Sequence, residues 1–351
     1  MEIGIVGLRG SGKTTLFNLL TGLGEATGGY ATESHVGIAR VPDGRLDRLA
    51  ALYRPRKTTH ATVRYVDIPG LATERGGAPL DLPQARTTDA LMVVLHGFSR
   101  ADGPPDPLAD LAAIEAEFLI ADQVVVERRL DRLGRELGKR RAPELEAERA
   151  ALERCLAALE AERPLREAGL SAEERRLLKG FTFLSLKPML VVLNLGEDRL
   201  GEDPFAGPGW AAWREREGVE LTAVCATFEG ELARLEPEEA AAFMADAGIE
   251  EPALDRVLRA SYRLLDLVSF FTVGEDECRA WPVPAGTTAV EAAGAIHSDI
   301  QRGFIRAEVV RWDELLDAGS LAECRRRGTL RLEGKGYVVR DGDVIHFRFN
   351  V

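Results

Sequence analysis

Short apolar runs alternate with helical periods along the first 268 residues. The runs at 3–6, 63–68, 90–95, 188–194 and 220–227 are rich in β-branched residues and predict strands. Those at 90–95 and 188–194 are nearly free of polar residues, as expected for strands buried on both faces of a parallel sheet. Residues 36–41 alternate and predict a further strand, followed by a turn and a helix carrying Leu46, Leu49 and Leu52. From 107 to 187 the period becomes helical and heavily charged. Leu119, Val126 and Leu133 are seven residues apart, as are Leu145, Leu152 and Leu159. Gly138 and Pro143 interrupt the pattern, so this segment predicts an antiparallel, coiled-coil-like hairpin with a tip at 138–143. Helices are expected again at 210–216, 236–247 and 252–267.

Beyond residue 269 the elements shorten. Strands are predicted at 270–273, 279–283, 307–310, 329–332, 338–340 and 344–349, with one helix at 288–300. The last strand puts Val344, His346, Arg348 and Asn350 on one face and Ile345, Phe347 and Phe349 on the other. Such strands around a single helix suit a β-grasp sheet. The expected class is α/β. A mostly parallel sheet with helices on both faces forms a nucleotide-binding domain at 1–106 and 188–268. A helical hairpin is inserted at 107–187, and an α+β β-grasp domain follows at 269–351.

Residues 7–14 read G-L-R-G-S-G-K-T between a predicted strand and a predicted helix, which satisfies G-x-x-x-x-G-K-[ST]. In that setting Arg9, Gly10, Ser11, Gly12, Lys13, Thr14 and Thr15 are the candidate phosphate contacts. Bare glycines at 7, 10 and 12 let backbone N–H groups close around the phosphates, and the helix that follows presents its positive end. Lys13 adds a mobile cation, and Thr14 offers a hydroxyl to Mg²⁺. Residues 67–70 read D-I-P-G at the carboxyl end of a predicted strand. Asp67 is expected to hold Mg²⁺, usually through water, and the Gly70 N–H to face a γ-phosphate. Lys13, Asp67 and Gly70 form the candidate catalytic set. Thr32, in the Gly- and Thr-rich stretch 22–32, joins Thr14 and Asp67 as the candidate metal set.

Composition narrows the class. The formal charge is −12, with 45 Lys and Arg against 57 Asp and Glu, which argues against a surface that coats nucleic acid as a whole. A local basic patch is still expected at 138–143, extended by Arg128, Arg129, Arg132 and Arg135. The four cysteines are scattered without a C-x-x-C, so neither a zinc site nor a disulfide framework is expected, and a reducing cytoplasm fits. No apolar run approaches the ~20 residues of a membrane span. The chain opens on a core strand, so no signal peptide and no membrane partner are expected.

The order of these motifs resembles the YchF/Obg-like ATPase family of translation-factor-class P-loop NTPases, over nearly the whole chain. The stretches at 279–281, 303–309, 331–335 and 341–351 resemble that family's TGS-type ending most specifically. The resemblance implies a nucleotide-dependent switch that associates with ribosomes, with ribosomal RNA or protein met by the hairpin tip and the β-grasp domain. At 194–197 the chain reads N-L-G-E where guanine-selective sites have N-K-x-D. Glu197 is one methylene longer than Asp and Leu195 replaces the lysine, so ATP is expected over GTP, with residual GTP binding. Cys225 and Ala226 fall where a backbone amide backs the base.

The chain also departs from related enzymes. Leu71 stands where Ras-like enzymes carry the glutamine that orients water, as throughout this family. Gly10 replaces the asparagine that holds a monovalent cation in related loops. The loop at 99–105 lacks the family's histidine, and His96, upstream at a strand end, is expected to pack. Two readings follow: a slow, partner-dependent ATPase, or a hydrolysis-deficient nucleotide-sensing adaptor.

Overall fold

The two unbroken apolar runs become neighbouring interior strands of a six-stranded sheet. In chain order the strands are β1 (Glu2–Val6), β2 (His35–Arg40), β3 (Lys57–Thr59), β4 (Thr62–Asp67), β5 (Ala90–Gly97) and β6 (Met189–Leu195). They continue as β7 (Val219–Val224), β8 (Leu267–Thr272), β9 (Glu277–Pro284), β10 (Phe304–Arg311), β11 (Arg331–Glu333) and β12 (Asp343–Phe349). The computed structural model describes residues 1–24, 34–69, 83–99, 103–139 and 142–350. The first sheet has the order β2-β4-β1-β5-β6-β7, and β4, β1, β5, β6 and β7 pair in parallel.

Leu91, Val93 and Leu95 of β5, with Met189, Val191 and Leu193 of β6, pack against Leu111, Ile114 and Phe118 of the helix Pro107–Leu137. Each such fully buried side chain contributes about 2 kcal/mol. Leu16 and Phe17 of the helix Lys13–Thr21 are likewise inaccessible to solvent.

The hairpin pairs the helix Pro107–Leu137 with Pro143–Glu160. Leu119, Val126 and Leu133 meet Leu152, Cys155 and Leu159 in one apolar seam, as the seven-residue spacing predicts. Arg129, expected as part of a basic patch, instead forks onto Glu148 at 2.7 and 2.8 Å and fastens the two arms together. At the root of the hairpin, Asp122 is wholly buried. Its carboxylate accepts from the Leu184 N–H at 3.0 Å, the Ser185 N–H and hydroxyl at 2.7 and 2.8 Å, and Arg86 at 3.0 Å.

The second sheet has the order β11-β10-β12-β8-β9-β3. Its inner face packs Phe270, Val309, Ile345 and Phe347 against Ala289, Ala292 and Ala293. Here the structure differs from the expected elements in several ways. The helix expected at 288–300 is two, Ala289–Ile296 and Ser298–Arg302, separated by His297 in extended conformation. Residues 338–340 make only an isolated bridge, Val338 with Thr288. Two unpredicted helices, Trp312–Ala318 and Leu321–Arg327, each end on a glycine with positive φ, Gly319 and Gly328.

Among the described residues the chain divides into two compact units, 1–38 with 64–264 and 39–63 with 265–351. The helical hairpin is counted within the first of these. Residues 39–63, expected with the nucleotide-binding domain, belong to the second unit. The reason is pairing: β3 lies parallel to β9, Lys57 to Glu277 and Thr59 to Arg279, and the Thr59 hydroxyl donates to Glu277 at 2.5 Å. No helix of the described residues is long and apolar enough to cross a membrane.

Replacing Asp122 by Ala leaves the buried Leu184 and Ser185 N–H groups without their acceptor and takes from the part-buried Arg86 its carboxylate, leaving it only the Ala121 and Thr182 carbonyls. Urea unfolding of Asp122→Ala is expected to show a loss of about 3–5 kcal/mol, against a much smaller loss for Gln123→Ala on the same helix.

Candidate nucleotide-binding site

The carboxyl ends of β1, β4, β5 and β6 converge on one edge of the first sheet, where an open α/β sheet binds its ligands. β1 ends at Val6, and the chain turns through 7–12 into the helix Lys13–Thr21. Gly10 and Gly12 have φ of 76° and 92°, in the left-handed region that favours glycine. The sequence explains the bare glycines by phosphate approach, but the structure adds nearer neighbours. A Cβ on Gly7 would overlap the Val94 carbonyl of β5, and one on Gly12 would overlap the Asn194 amide.

The loop closes on a single acceptor. The Leu8 carbonyl receives the Ser11 N–H at 3.3 Å and the Lys13 ammonium at 2.8 Å. Burial pushes the Lys13 ammonium down to about 8, against the opposing attraction of Asp67. Gly12 caps the helix without a side chain, and no acidic residue lies in its first turn, so the helix presents its positive end to the loop. The Ser11 hydroxyl is fully buried and, among the described residues, has no hydrogen-bond partner. Arg9 and Gly10 are exposed, and Thr15 lies in the helix's first turn.

Asp67 is the last residue of β4 and is 4% exposed. The Thr14 hydroxyl donates to its carboxylate at 2.8 Å. Two hard oxygen donors, one anionic, therefore meet beside the only lysine of the loop, a donor set that suits Mg²⁺. The expected partners Gly70 and Thr32 lie outside the described residues, as do Leu71 and Arg140–Arg141 of the hairpin tip.

Asn194, at the carboxyl end of β6, is 6% exposed and ties two loops together. Its amide N–H donates to the Ser11 carbonyl at 3.1 Å, and its oxygen accepts from the Ala226 N–H at 3.0 Å. The strand expected at 220–227 stops at Val224, and Cys225 is the N-cap of a helix, Ala226–Leu232. The Ala226 N–H expected behind a base is thus engaged with Asn194. Burial pushes the Cys225 thiol up, so it is an inert neighbour of the site. Glu197 opens a short 3₁₀ turn and is exposed.

Glu229 is a participant that sequence reasoning missed. It is 3% exposed on the helix Ala226–Leu232 and accepts from the Ala253 N–H at 2.6 Å, fixing that helix to the one at Ala253–Leu264. Its signal was faint, a glutamate among small and apolar residues at 226–232. His96 ends in a contact of 3.1 Å with Asp110 of the hairpin's first helix and stands edge-on to Phe98.

A family model described as YchF-GTPase_C, protein of unknown function (DUF933), matches residues 267–350. Over its full length the chain is 41% identical to the ribosome-binding ATPase YchF of Bacillus subtilis, covering all of that protein. It is 39% identical to the protein of the same name from Escherichia coli O157:H7, covering 99% of it. Among solved structures, the Schizosaccharomyces pombe YchF GTPase matches 99% of this chain and 97% of its own, with a TM-score of 0.85 and 29% identity. With identity at this level from end to end, and with the phosphate loop, β4 carboxylate and N-x-x-E strand end assembled on one sheet edge, the chain belongs to the YchF/Obg-like ATPase family.

Proposed function

We propose that this protein is a Mg²⁺-dependent purine-nucleotide switch that prefers ATP, accepts GTP, hydrolyses slowly and works on the ribosome. The observation that carries the reading is the meeting of Thr14 and Asp67 at 2.8 Å beside Lys13, at the mouth of the loop that Asn194 braces. When bound there, Mg²⁺ supplies charge neutralisation at the β- and γ-phosphates. The Lys13 ammonium leaves the Leu8 carbonyl for phosphate, exchanging a neutral acceptor for an anionic one. Asn194 keeps the phosphate side and the base side in register, and the exposed Glu197 is the candidate acceptor for the adenine amino group.

ATP and GTP both find support in the names of the relatives, a ribosome-binding ATPase and a YchF GTPase. Leu71 carries no group that can orient water, so turnover is assigned to the complex with a partner. A hydrolysis-deficient adaptor is the competing reading, and single-turnover hydrolysis with and without ribosomes separates the two. The switch reading expects a rate that rises with ribosomes. A rate of zero in both conditions favours the adaptor.

Calorimetry with Mg²⁺ is expected to show that Lys13→Ala weakens ATP binding by roughly a hundredfold, the loss of a charge-assisted contact to phosphate. A wild-type protein that binds neither ATP nor GTP would reject the whole reading. In a competition series, Glu197→Asp is expected to move the ATP-to-GTP preference roughly tenfold toward GTP, because the shorter carboxylate suits the paired donors of guanine.

A further inference from the structure

The last strand outruns its neighbour. Val344 stands opposite Phe271 in the parallel pair of β12 with β8, and β8 ends one residue later, at Thr272. β12 continues to Phe349, and over 346–349 it pairs with β10 alone among the described residues. Strand geometry turns the N–H and C=O of alternate residues to the other side, and no described backbone group meets them there.

A groove of about 340 Å³ follows this edge. Ile345, Phe347 and Phe349 line it from one face of β12, and Val344 and His346 from the other. It therefore runs along the side of the strand rather than over the sheet. Val273, just past the end of β8, also lines it, and Ile296 and Ile300 wall it on the core side. Phe349 is 45% exposed. The polar side chains of the groove are already engaged. The Thr272 hydroxyl accepts from the Trp281 indole N–H at 2.9 Å. The Glu277 carboxylate accepts from the Thr59 hydroxyl, and the His346 ring stands 3.1 Å from Glu308. A small polar ligand would find no side chain waiting for it. What the groove offers is apolar surface beside the main-chain donors and acceptors of β12, the two features that recognise an extended chain.

We propose that this groove takes an extended peptide segment of a partner protein, added as a strand beside β12, with acidic and apolar side chains in alternation. The inference is independent of the nucleotide and ribosome readings above. An added strand alternates in step with β12. Its side chains on the Phe347 and Phe349 face meet the apolar wall. Those on the opposite face meet His346 and Arg348. There one carboxylate, Glu308, is shared among Arg325, His346 and Arg348. Cationic charge is in excess on that side, so a carboxylate across the ladder is favourable. A second copy of this chain is a poor occupant, because it would bring its own Arg348 to the same face. The open stretch spans about 13 Å, enough for a motif of four residues.

The test uses the full-length protein and a fluorescent, end-capped octapeptide of alternating glutamate and valine, followed by anisotropy. Binding is expected with a dissociation constant on the order of 10–100 μM. A lysine–valine peptide is expected to bind at least about tenfold more weakly. Methylating the backbone nitrogens along one edge of the glutamate–valine peptide is expected to weaken it roughly tenfold or more, through lost main-chain bonds. Phe349→Ala, at an exposed position, is expected to cost roughly tenfold by removing apolar wall. In wild type the saturating peptide is expected to slow amide hydrogen exchange at 346–349. Equal affinity for both methylated forms and the parent peptide would overturn the proposal, since apolar adsorption needs no ladder. So would protection confined to other segments, or no binding at millimolar peptide. A concentration-dependent dimer that protects 346–349 without peptide would also overturn it, by making a second copy the occupant.

Discussion

The side chain of Asn194 holds the nucleotide site together. It reaches the phosphate loop through the Ser11 carbonyl and the start of the helix Ala226–Leu232 through the Ala226 N–H. Both bonds are buried, so each stands where an unpaired polar group would carry a full desolvation cost. Much else follows from that placement. Gly12 must lack a side chain because the amide occupies its Cβ position. The helix Ala226–Leu232 must be fixed from behind, which Glu229 does by binding the amino end of the helix Ala253–Leu264. The site is in this sense one hydrogen-bonded chain, running from the phosphate loop across three elements.

The fold was legible wherever one segment determined its own structure. The run at 90–95 is too apolar to sit anywhere but between two strands, and it lies between β1 and β6. The phosphate loop was legible because its glycines, lysine and threonine are dictated by local geometry. What stayed hidden depends on distant pairing or on competition between neighbouring elements. Lys57–Thr59 has no apolar signature, and only β9, more than two hundred residues later, makes it a strand. The apolar run at 220–227 hides a strand-to-helix change, because Cys225, Ala226 and Thr227 suit either state and the Asn194 bond decides between them. The helices Trp312–Ala318 and Leu321–Arg327 are two turns each, too short for a periodic pattern to register.

The charged residues of the hairpin teach a similar lesson. The sequence presents Arg128, Arg129, Arg132 and Arg135 as one basic stripe. The structure takes Arg129 out of that stripe by giving it Glu148 on the facing helix. Register across the seam decides which arginine finds an acid, and register follows from the interlocking leucines rather than from the charges.

The pairing of β3 with β9 has a consequence for how this protein comes to exist. Residues 39–63 leave the ribosome early, within a stretch whose flanks belong to the first unit, yet their partners begin only at 265. Synthesis proceeds at about 5–20 residues per second, so a strand edge and the buried leucines of the helix Gly44–Tyr53 wait on the order of ten seconds for their cover. A nascent chain of this kind is open to mispairing for the whole of that interval. Nor can the gene be cut once to yield two self-sufficient pieces, because any single cut between 64 and 264 parts the early strand from the late one. The two units are therefore inherited as a single piece, although each has a core of its own.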